Sequence, residues 1–568
     1  MKSPERVGPG PTAPGTNSTR DIRVLQPGTR SYRIYLVLGS IALLATLAFF
    51  GFAWPHPWRV DHPFLYGFAT LTIGYYVAVW FARWLSLRQM RWPIPIQAES
   101  GIRVGVATSF VPGLESVEML EQCVRGLMAL DYPHDTWVLD EGDDPTVRAL
   151  CRRLGANHFS RRGRPEYQQA EGRYARQSKH GNYNAWLDQE GFHRYDVVVT
   201  FDPDHVPETR YLSRVLGHFR DETTGYVQPP QVYYNQNANL IARGAAEETY
   251  AYYSSHLMAS YGLGHTVVIG SHSAHRVKAL KEVGGFPAHD AEDLYLTMLY
   301  RANGWHGVYV PEVLAMGTAP VTWAAYLRQQ VRWSRAVLDL KRNVYPRLAD
   351  KLSRSERVLN LFHGMYYFRP LLLVALYTML LGMIVIGATP SFLEPGPLLA
   401  LVALISLLVA CDRFRQRFFL DPPRERGFHG RAALLQAAKA PHVSAALIDV
   451  ILNRRVEYVT TPKVHPAVRT GSVLAAPHIA FATLLAAALG LSYYLRDHVP
   501  PVLLALAVLV MAVSLGLAWT ELVPNPPPFD PSLLAERRFQ MTDVLQFSAW
   551  PVPAPVETAP ETSSPTER

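Results

Sequence analysis

Two aspartates one residue apart, Asp202 and Asp204, follow the apolar run Val197–Phe201 in the stretch VVVTFDPDHVP. Two like charges at the tip of an apolar run repel unless a cation lies between them, and their hard oxygens suit Mg2+ or Mn2+. Mg2+ usually takes one or two protein carboxylates together with substrate phosphates, so this tip has the chemistry of a metal–diphosphate site. A second acidic pair, Asp140 and Glu141, ends TWVLDEGDD, and Glu292 and Asp293 open the helical pattern of AHDAEDLYLTMLYRANGW. A carboxylate at a helix start gains from the helix dipole. In YLRQQVRWSRAVLDL, Gln329, Arg332 and Trp333 fall on an amphipathic helix. Arginine forks onto phosphate oxygens, and indole offers a flat face for stacking. Each feature taken singly also fits a plainer reading: a solvated turn, a helix cap, and a cationic helix with an aromatic anchor.

The elements that must position these groups alternate. IRVGVATSF reads as a buried strand, SVEMLEQCVRGLMAL as a helix, TWVLDEGDD as a strand, and PTVRALCRRLGA as a helix with Pro145 in its first turn. YDVVVTFDPD and ETRYLSRVLGHF repeat the pattern. Such alternation predicts an α/β domain with a mostly parallel sheet. Ligands in such folds bind beyond the carboxyl ends of the strands, where both acidic clusters fall.

The chain has 568 residues, of which 49% are hydrophobic, and its net charge is +8. Its mean hydropathy is near zero. That average hides a middle that reads like a soluble enzyme between apolar flanks. Six apolar runs approach the roughly 20 residues a span needs: Ile34–Trp54, Pro63–Phe81, Pro370–Ala388, the shorter Pro397–Cys411, Val473–Tyr494 and Val499–Trp519. Arginines cluster before the first and third runs (Arg30, Arg33, Arg342, Arg347, Arg369) and after the second and fourth (Arg83, Arg88, Arg91, Arg413, Arg415, Arg417). This bias predicts an inner- or plasma-membrane protein whose termini and middle domain face the cytoplasm, and it accounts for the basic charge without a nucleic-acid partner. AALLQAAKAPHVSAALIDVILNRR predicts an amphipathic helix at the cytoplasmic interface, broken at its proline. The expected division is a disordered tail over 1–31, two spans over 32–90, the cytoplasmic α/β domain over 91–350, two spans with the interfacial helix and a following loop over 351–470, two spans over 471–522, and a cytoplasmic tail over 523–568. The three cysteines, Cys123, Cys151 and Cys411, have no metal-ligand spacing and read as small core hydrophobes.

In chain order, Asp140, DPD (202–204), AED (291–293) and QQVRW (329–333) resemble the D, DxD, TED, QxxRW signature of processive family-2 membrane glycosyltransferases. They are most similar to bacterial cellulose synthase catalytic subunits, and the resemblance runs from about Arg91 to Lys463. It implies a GT-A-type nucleotide-sugar transferase domain inserted in an α-helical multi-span membrane domain. It implies that Asp140 contacts the uridine of a UDP-sugar and that Lys179, in SKHGN, lies near the nucleotide. Asp202 and Asp204 would hold the diphosphate and its Mg2+ or Mn2+, with Asp204 the more direct metal contact. Asp293 would be the general base, Gln329 and Arg332 would bind diphosphate, and Trp333 would stack on the acceptor sugar. EYVTTPK resembles the family's gating loop through Tyr458, Thr461 and Lys463, with Thr460 in place of valine. Further departures are Ile269 for the cysteine near the acceptor, Ala291 for the threonine of TED, and Glu141 for a second aspartate.

The implied activity is processive, inverting β-glycosyl transfer from a UDP-sugar, UDP-glucose by preference, onto a cellulose-like glucan exported across the membrane, with an outer export subunit as a possible partner. A β-1,3- or mixed-linkage glucan, a hyaluronan- or chitin-like polymer, and single-sugar transfer to a lipid remain open alternatives, as does an inert scaffold or transporter. The short segment after the sixth run leaves no room for a cyclic-di-GMP-sensing barrel, so direct control by that nucleotide is not expected.

Overall fold

A computed structural model describes residues 22–24, 29–55, 61–421, 424–454, 474–527 and 529–530. The residues of the expected gating loop, Tyr458, Thr461 and Lys463, and most of the two expected tails, lie outside the described residues. One part of the first tail is ordered: Ile22–Val24 pairs antiparallel with Arg91–Pro93. The β-branched residues of that triplet, isoleucine and valine, suit strand pairing, which the composition of the surrounding segment masks.

Seven strands form the central sheet: β1 (Val104–Phe110), β2 (Asp135–Asp140), β3 (Asn157–Phe159), β4 (Val197–Phe201), β5 (Thr224–Gln228), β6 (Ser273–Arg276) and β7 (His306–Tyr309). Their order is β7-β5-β6-β4-β1-β2-β3. β1 and β4 are buried at every position, as strands covered on both faces must be. The sheet is mostly parallel, as expected, but β6 runs antiparallel to both β4 and β5. Its reversal brings the segment that enters it, residues 268–273, to the carboxyl end of β4, where Ser273 pairs with Thr200.

Three short helices order the loops of that edge. α1 (Val117–Met128) is capped by Ser116, and α2 (Pro145–Leu154) starts at the Asp144 cap and stops at left-handed Gly155. α3 (Lys179–Trp186) lies against β1, β2 and β4. Asn182 donates to the Leu139 carbonyl at 2.9 Å, and the Tyr183 hydroxyl reaches the Phe201 and Ala107 carbonyls at 3.0 and 3.2 Å. These bonds tie α3 to β1, β2 and β4 and fix Lys179 above the sheet.

Among the described residues, six helices are long and apolar enough to cross a membrane: Arg30–Ala53, Pro63–Gln89, Arg354–Ile386, Pro395–Phe418, Ala475–Arg496 and Pro501–Thr520. They match the six expected runs. The fourth reads short only because its helix continues through Arg413 and Arg415. Large apolar side chains such as Leu44, Phe64, Leu71, Leu399 and Trp519 point outward, the pattern of surfaces that face lipid. The α/β domain is thus set within a helical, multi-span region.

Four further helices join the two parts: α4 (Leu240–Ala251), α5 (Glu292–Ala302), α6 (Trp323–Asp339) and α7 (Gly430–Ile451). α7 is the helix expected at the interface. It is continuous through Pro441 rather than broken there. Packing against α4, α6 and the third span holds it together despite the one lost hydrogen bond.

Candidate active site

β4 delivers Asp202 and Asp204 to the edge of the sheet, as the opening pattern requires. The two are not equivalent. The Asp202 carboxylate takes the Lys179 ammonium at 2.5 Å, and the Asp202 amide donates to Ser271 Oγ at 3.1 Å. Asp204 is 5% exposed. It accepts the Thr318 hydroxyl at 2.6 Å and lies 3.2 Å from His205 Nδ1. Ligand atoms of Asp202, Asp204 and His205 all fall within 4.8 Å of one another. Two carboxylates and an imidazole that close make a donor set a divalent ion fits, and such an ion would relieve the crowding of like charge.

His205 and Thr318 are absent from the sequence reading. His205 could have been found there, since it directly follows the Asp-x-Asp and an imidazole ligates readily. Thr318 directly follows Ala315–Gly317, a strand of a separate small sheet that pairs with Val206–Pro207, and nothing local in the sequence joins it to Asp204.

Lys179 pairs with Asp202 and lies in the field of two further acids. Burial alone would lower its pKa, but the Asp202 carboxylate, helped by Glu292 and Asp293, outweighs burial and raises it. Lys179 also donates to the Gly270 carbonyl. Gly270 has φ +74°, and a Cβ there would stand 3.1 Å from Asp293 Oδ2. The loop that holds Lys179 on one side therefore lies against Asp293 on the other.

Asp293 sits in the first turn of α5, where its Oδ1 accepts the Leu294 amide at 2.8 Å. Burial and the neighbouring Glu292 push its carboxyl up to about 7, against the smaller opposing pull of the Leu294 amide and Lys179. A carboxylate poised there suits proton abstraction near neutral pH. A small recess lined by Lys179, His180, Thr200, Gly270, Glu292 and Asp293 opens beside it.

Gln329, Arg332 and Trp333 lie half-buried on α6. α6 meets the start of α5 through an apolar cluster in which Ala291 and Leu294 pack with Ala336 and Leu340, and through His289, 3.0 Å from Asp339. The helix of the glutamine–arginine–tryptophan motif is thereby docked on the helix of Asp293.

Asp140 is placed differently from its neighbours. It is fully buried at the end of β2. Its oxygens accept the Gly142 and Asp144 amides at 2.9 and 2.6 Å, and His158 stands 3.1 Å away. Asp140 thus shapes the turn at 141–144. Glu141, a departure noted above, forks onto Arg161 at 2.8 Å through both oxygens. Arg161 in turn binds the carbonyls of Tyr167, Tyr174 and Ala175, which orders the loop leading to Lys179. The longer glutamate spans that distance.

Residues 197–411 match the family model described as glycosyl transferase family group 2. Among curated relatives, the chain is 25% identical over 396 residues to a cellulose synthase 2 of Novacetimonas hansenii, covering 66% of this chain and 24% of that one. It is 26% identical over 314 residues to a cellulose synthase catalytic subunit of Xanthomonas axonopodis pv. citri, covering 54% and 40%. The chain therefore spans between a quarter and two-fifths of the length of these relatives. Among solved structures, a mannosyltransferase of Pyrobaculum calidifontis in complex with GDP-Man and Mn2+ is 15% identical with a TM-score of 0.43, covering 74% of this chain and 100% of that one. Glucosyl-3-phosphoglycerate synthase of Mycobacterium tuberculosis, in complex with Mn2+, UDP and glucosyl-3-phosphoglycerate, is 16% identical with a TM-score of 0.28, covering 39% and 74%. Over residues 197–411 the chain is thus similar to family-2 glycosyltransferases, and over part of its length it is similar to cellulose synthase catalytic subunits.

Proposed function

We propose that this chain is a processive, inverting β-glycosyltransferase that uses a UDP-sugar, UDP-glucose first among them, to extend a cellulose-like β-glucan and pass it outward between its membrane helices. The observation that carries the reading is the position of Asp293. Its carboxyl is held to about 7, and only the Gly270 segment separates it from the Lys179–Asp202 pair. Asp293 and Lys179 line one recess, and in this reading the first serves as base and the second as a donor to the diphosphate.

In the proposed step, an acceptor hydroxyl oxygen attacks the anomeric carbon of the donor. One carbon–oxygen bond forms as the bond to the diphosphate breaks, the hydroxyl proton passes to Asp293, and UDP leaves. Direct displacement inverts the carbon and needs one base and no covalent nucleophile. A Mg2+ or Mn2+ ion, when bound by Asp204 and Asp202 with His205, would supply charge neutralisation on the leaving diphosphate. Lys179, Gln329 and Arg332 contribute cationic and amide donors to the same group. Asp140 acts on the uridine end through the turn it shapes, and Trp333 stacks on the terminal sugar. Tyr458, Thr461 and Lys463 would close over the nucleotide. Both termini and the transferase domain would face the cytoplasm, where UDP-sugars are made, and an outer subunit would receive the product.

The test is incubation of the purified full chain with labelled UDP-glucose and other UDP-sugars, with Mg2+ or Mn2+, followed by linkage-specific hydrolases. A long product cut by a cellulase is expected, and chelation should abolish it. A short product that partitions with lipid would replace the polymer with lipid glycosylation. No transfer from any UDP-sugar would end the proposal.

A further inference from the structure

The segment 268–273 shows a density of side-chain bonds to main chain that packing alone does not require. The Val268 amide donates to Thr297 Oγ1 at 2.9 Å, and the same hydroxyl donates to the Asp293 carbonyl at 2.9 Å. The Ile269 amide donates to Gln228 Oε1 at 2.9 Å, and Gln228 Nε2 donates to the Ser271 carbonyl at 3.1 Å. The Gly270 carbonyl accepts Lys179, and Ser271 Oγ accepts the Asp202 amide. Gln228 is fully buried, and Thr297 is 2% exposed. A threonine that bonds the carbonyl four residues back is common in helices. Here, however, the same oxygen also accepts from a second element, and the carbonyl it serves belongs to Asp293.

Asp202 and Asp293 come from β4 and α5, far apart in the chain, yet a displacement reaction needs donor and acceptor at one fixed separation. The segment 268–273 touches both. Gln228, at the end of β5, grips the segment two residues apart like a strand partner, and Thr297 pins it to the first turn of α5. We propose that Thr297 and Gln228 are positioning residues of the transfer reaction: together they hold the Gly270 main chain as a rigid spacer between the Lys179–Asp202 pair and the Asp293 carboxylate. Neither touches the reacting atoms in this account. The inference rests on the function proposed above for its kinetic arm, but not for its second arm.

Thr297→Val keeps the shape of the side chain and removes the hydroxyl. In the full chain it should lower kcat by about 10²-fold, the cost of a misplacement of order 1 Å, with UDP affinity unchanged. Thr297→Ser should restore most of the rate. If Thr297→Ser is as slow as Thr297→Val, packing of the methyl group is what matters and the proposal fails. A second readout needs no turnover. The protonated-carboxyl infrared band of Asp293, assigned by its loss in Asp293→Asn, should titrate near 7 in the parent chain. Glu292 on its own helix, Lys179 across the spacer, and Tyr252, Tyr253 and Tyr367 from the membrane side are the groups that face it. In Thr297→Val and in Gln228→Met the midpoint should move. An unmoved midpoint in both variants overturns the proposal even if the parent chain transfers no sugar. A moved midpoint with an inactive parent chain leaves the spacer standing and ends the polymerase reading instead.

Discussion

The Lys179 ammonium lies 2.5 Å from the Asp202 carboxylate while it also donates to the Gly270 carbonyl. One cation therefore serves the acid that ends β4 and the segment that abuts Asp293. Lys179→Met should weaken UDP binding by about 10- to 100-fold, the equivalent of the 1.5–3 kcal/mol of a hydrogen bond to a charged group. It should also raise the Asp293 pKa further, because Lys179 is one of the groups that lower it. Calorimetric UDP titration with Mg2+ or Mn2+ checks the first effect, and the pH profile of turnover checks the second.

In the proposed base role Asp293 must be ionised to take a proton, and its carboxyl is raised to about 7. Turnover should accordingly rise with pH through an acid limb centred near 7. Asp293→Asn should cost about 10²- to 10⁴-fold in kcat. A mutant that releases UDP at the parent rate would remove Asp293 from the base role.

The same shift has a stability consequence of opposite sign. Asp293 titrates higher in the fold than its ordinary value of 3.8, so the folded chain binds more protons than the unfolded chain between those two values. Its contribution is present in full below about 4 and is lost as pH rises through about 7. Asp293→Asn removes that loss. Its Tm advantage over the parent should grow between pH 4 and 7 and then level off, as thermal scans across that range would record.

Arg161 is fully buried against Glu141 and carries three carbonyls of the loop before α3. Arg161→Met leaves the largely enclosed Glu141 carboxylate with the Gln177 amide but no cation, which costs up to about 3–5 kcal/mol. The variant should melt earlier and be cut by protease within residues 162–178, ahead of Lys179. Glu141→Asp should show a milder form of both effects, since the shorter side chain cannot fork onto Arg161 without movement.

Much of this arrangement can be read from the chain alone, and the exceptions have physical causes. The apolar runs of β1 and β4 and the acids that end β2 and β4 announce a sheet with a ligand edge. The six spans follow from hydropathy. Periodicity fails for β6, whose buried face is polar: Ser273 pairs with Thr200, and His275 lies between Ser273 and Tyr300. Asp140 looks, by its place at a strand end, as available as Asp202, yet amides from its own turn take its oxygens. The ties of Arg161 to Glu141, Thr318 to Asp204 and Thr297 to Val268 join residues that no local pattern links. Pro441 reads as a break, but tertiary packing carries α7 through it.

The last prediction concerns the helices that join the two parts. Glu248 on α4 is 7% exposed and accepts four donors: Lys439 Nζ at 2.9 Å, Tyr326 OH at 2.8 Å, Tyr366 OH at 3.1 Å and Gln436 Nε2. Lys439, fully buried on α7, also reaches Gln330 at 2.8 Å. Tyr326 and Gln330 belong to α6, the helix of Gln329, Arg332 and Trp333, so this cluster sets how that helix rests on α4 and α7. Removing one charge strands the other. Lys439→Met and Glu248→Leu should each destabilise the chain by about 3–5 kcal/mol, whereas the double variant should lose less than the sum because neither charge is left unpaired. Sugar transfer should fall most in Lys439→Met, where Gln330 also loses its partner and α6 is freed to shift. Thermal unfolding of the three variants in one detergent, with turnover measured alongside, decides the matter: additive losses of stability would show that the two charges do not act as a pair.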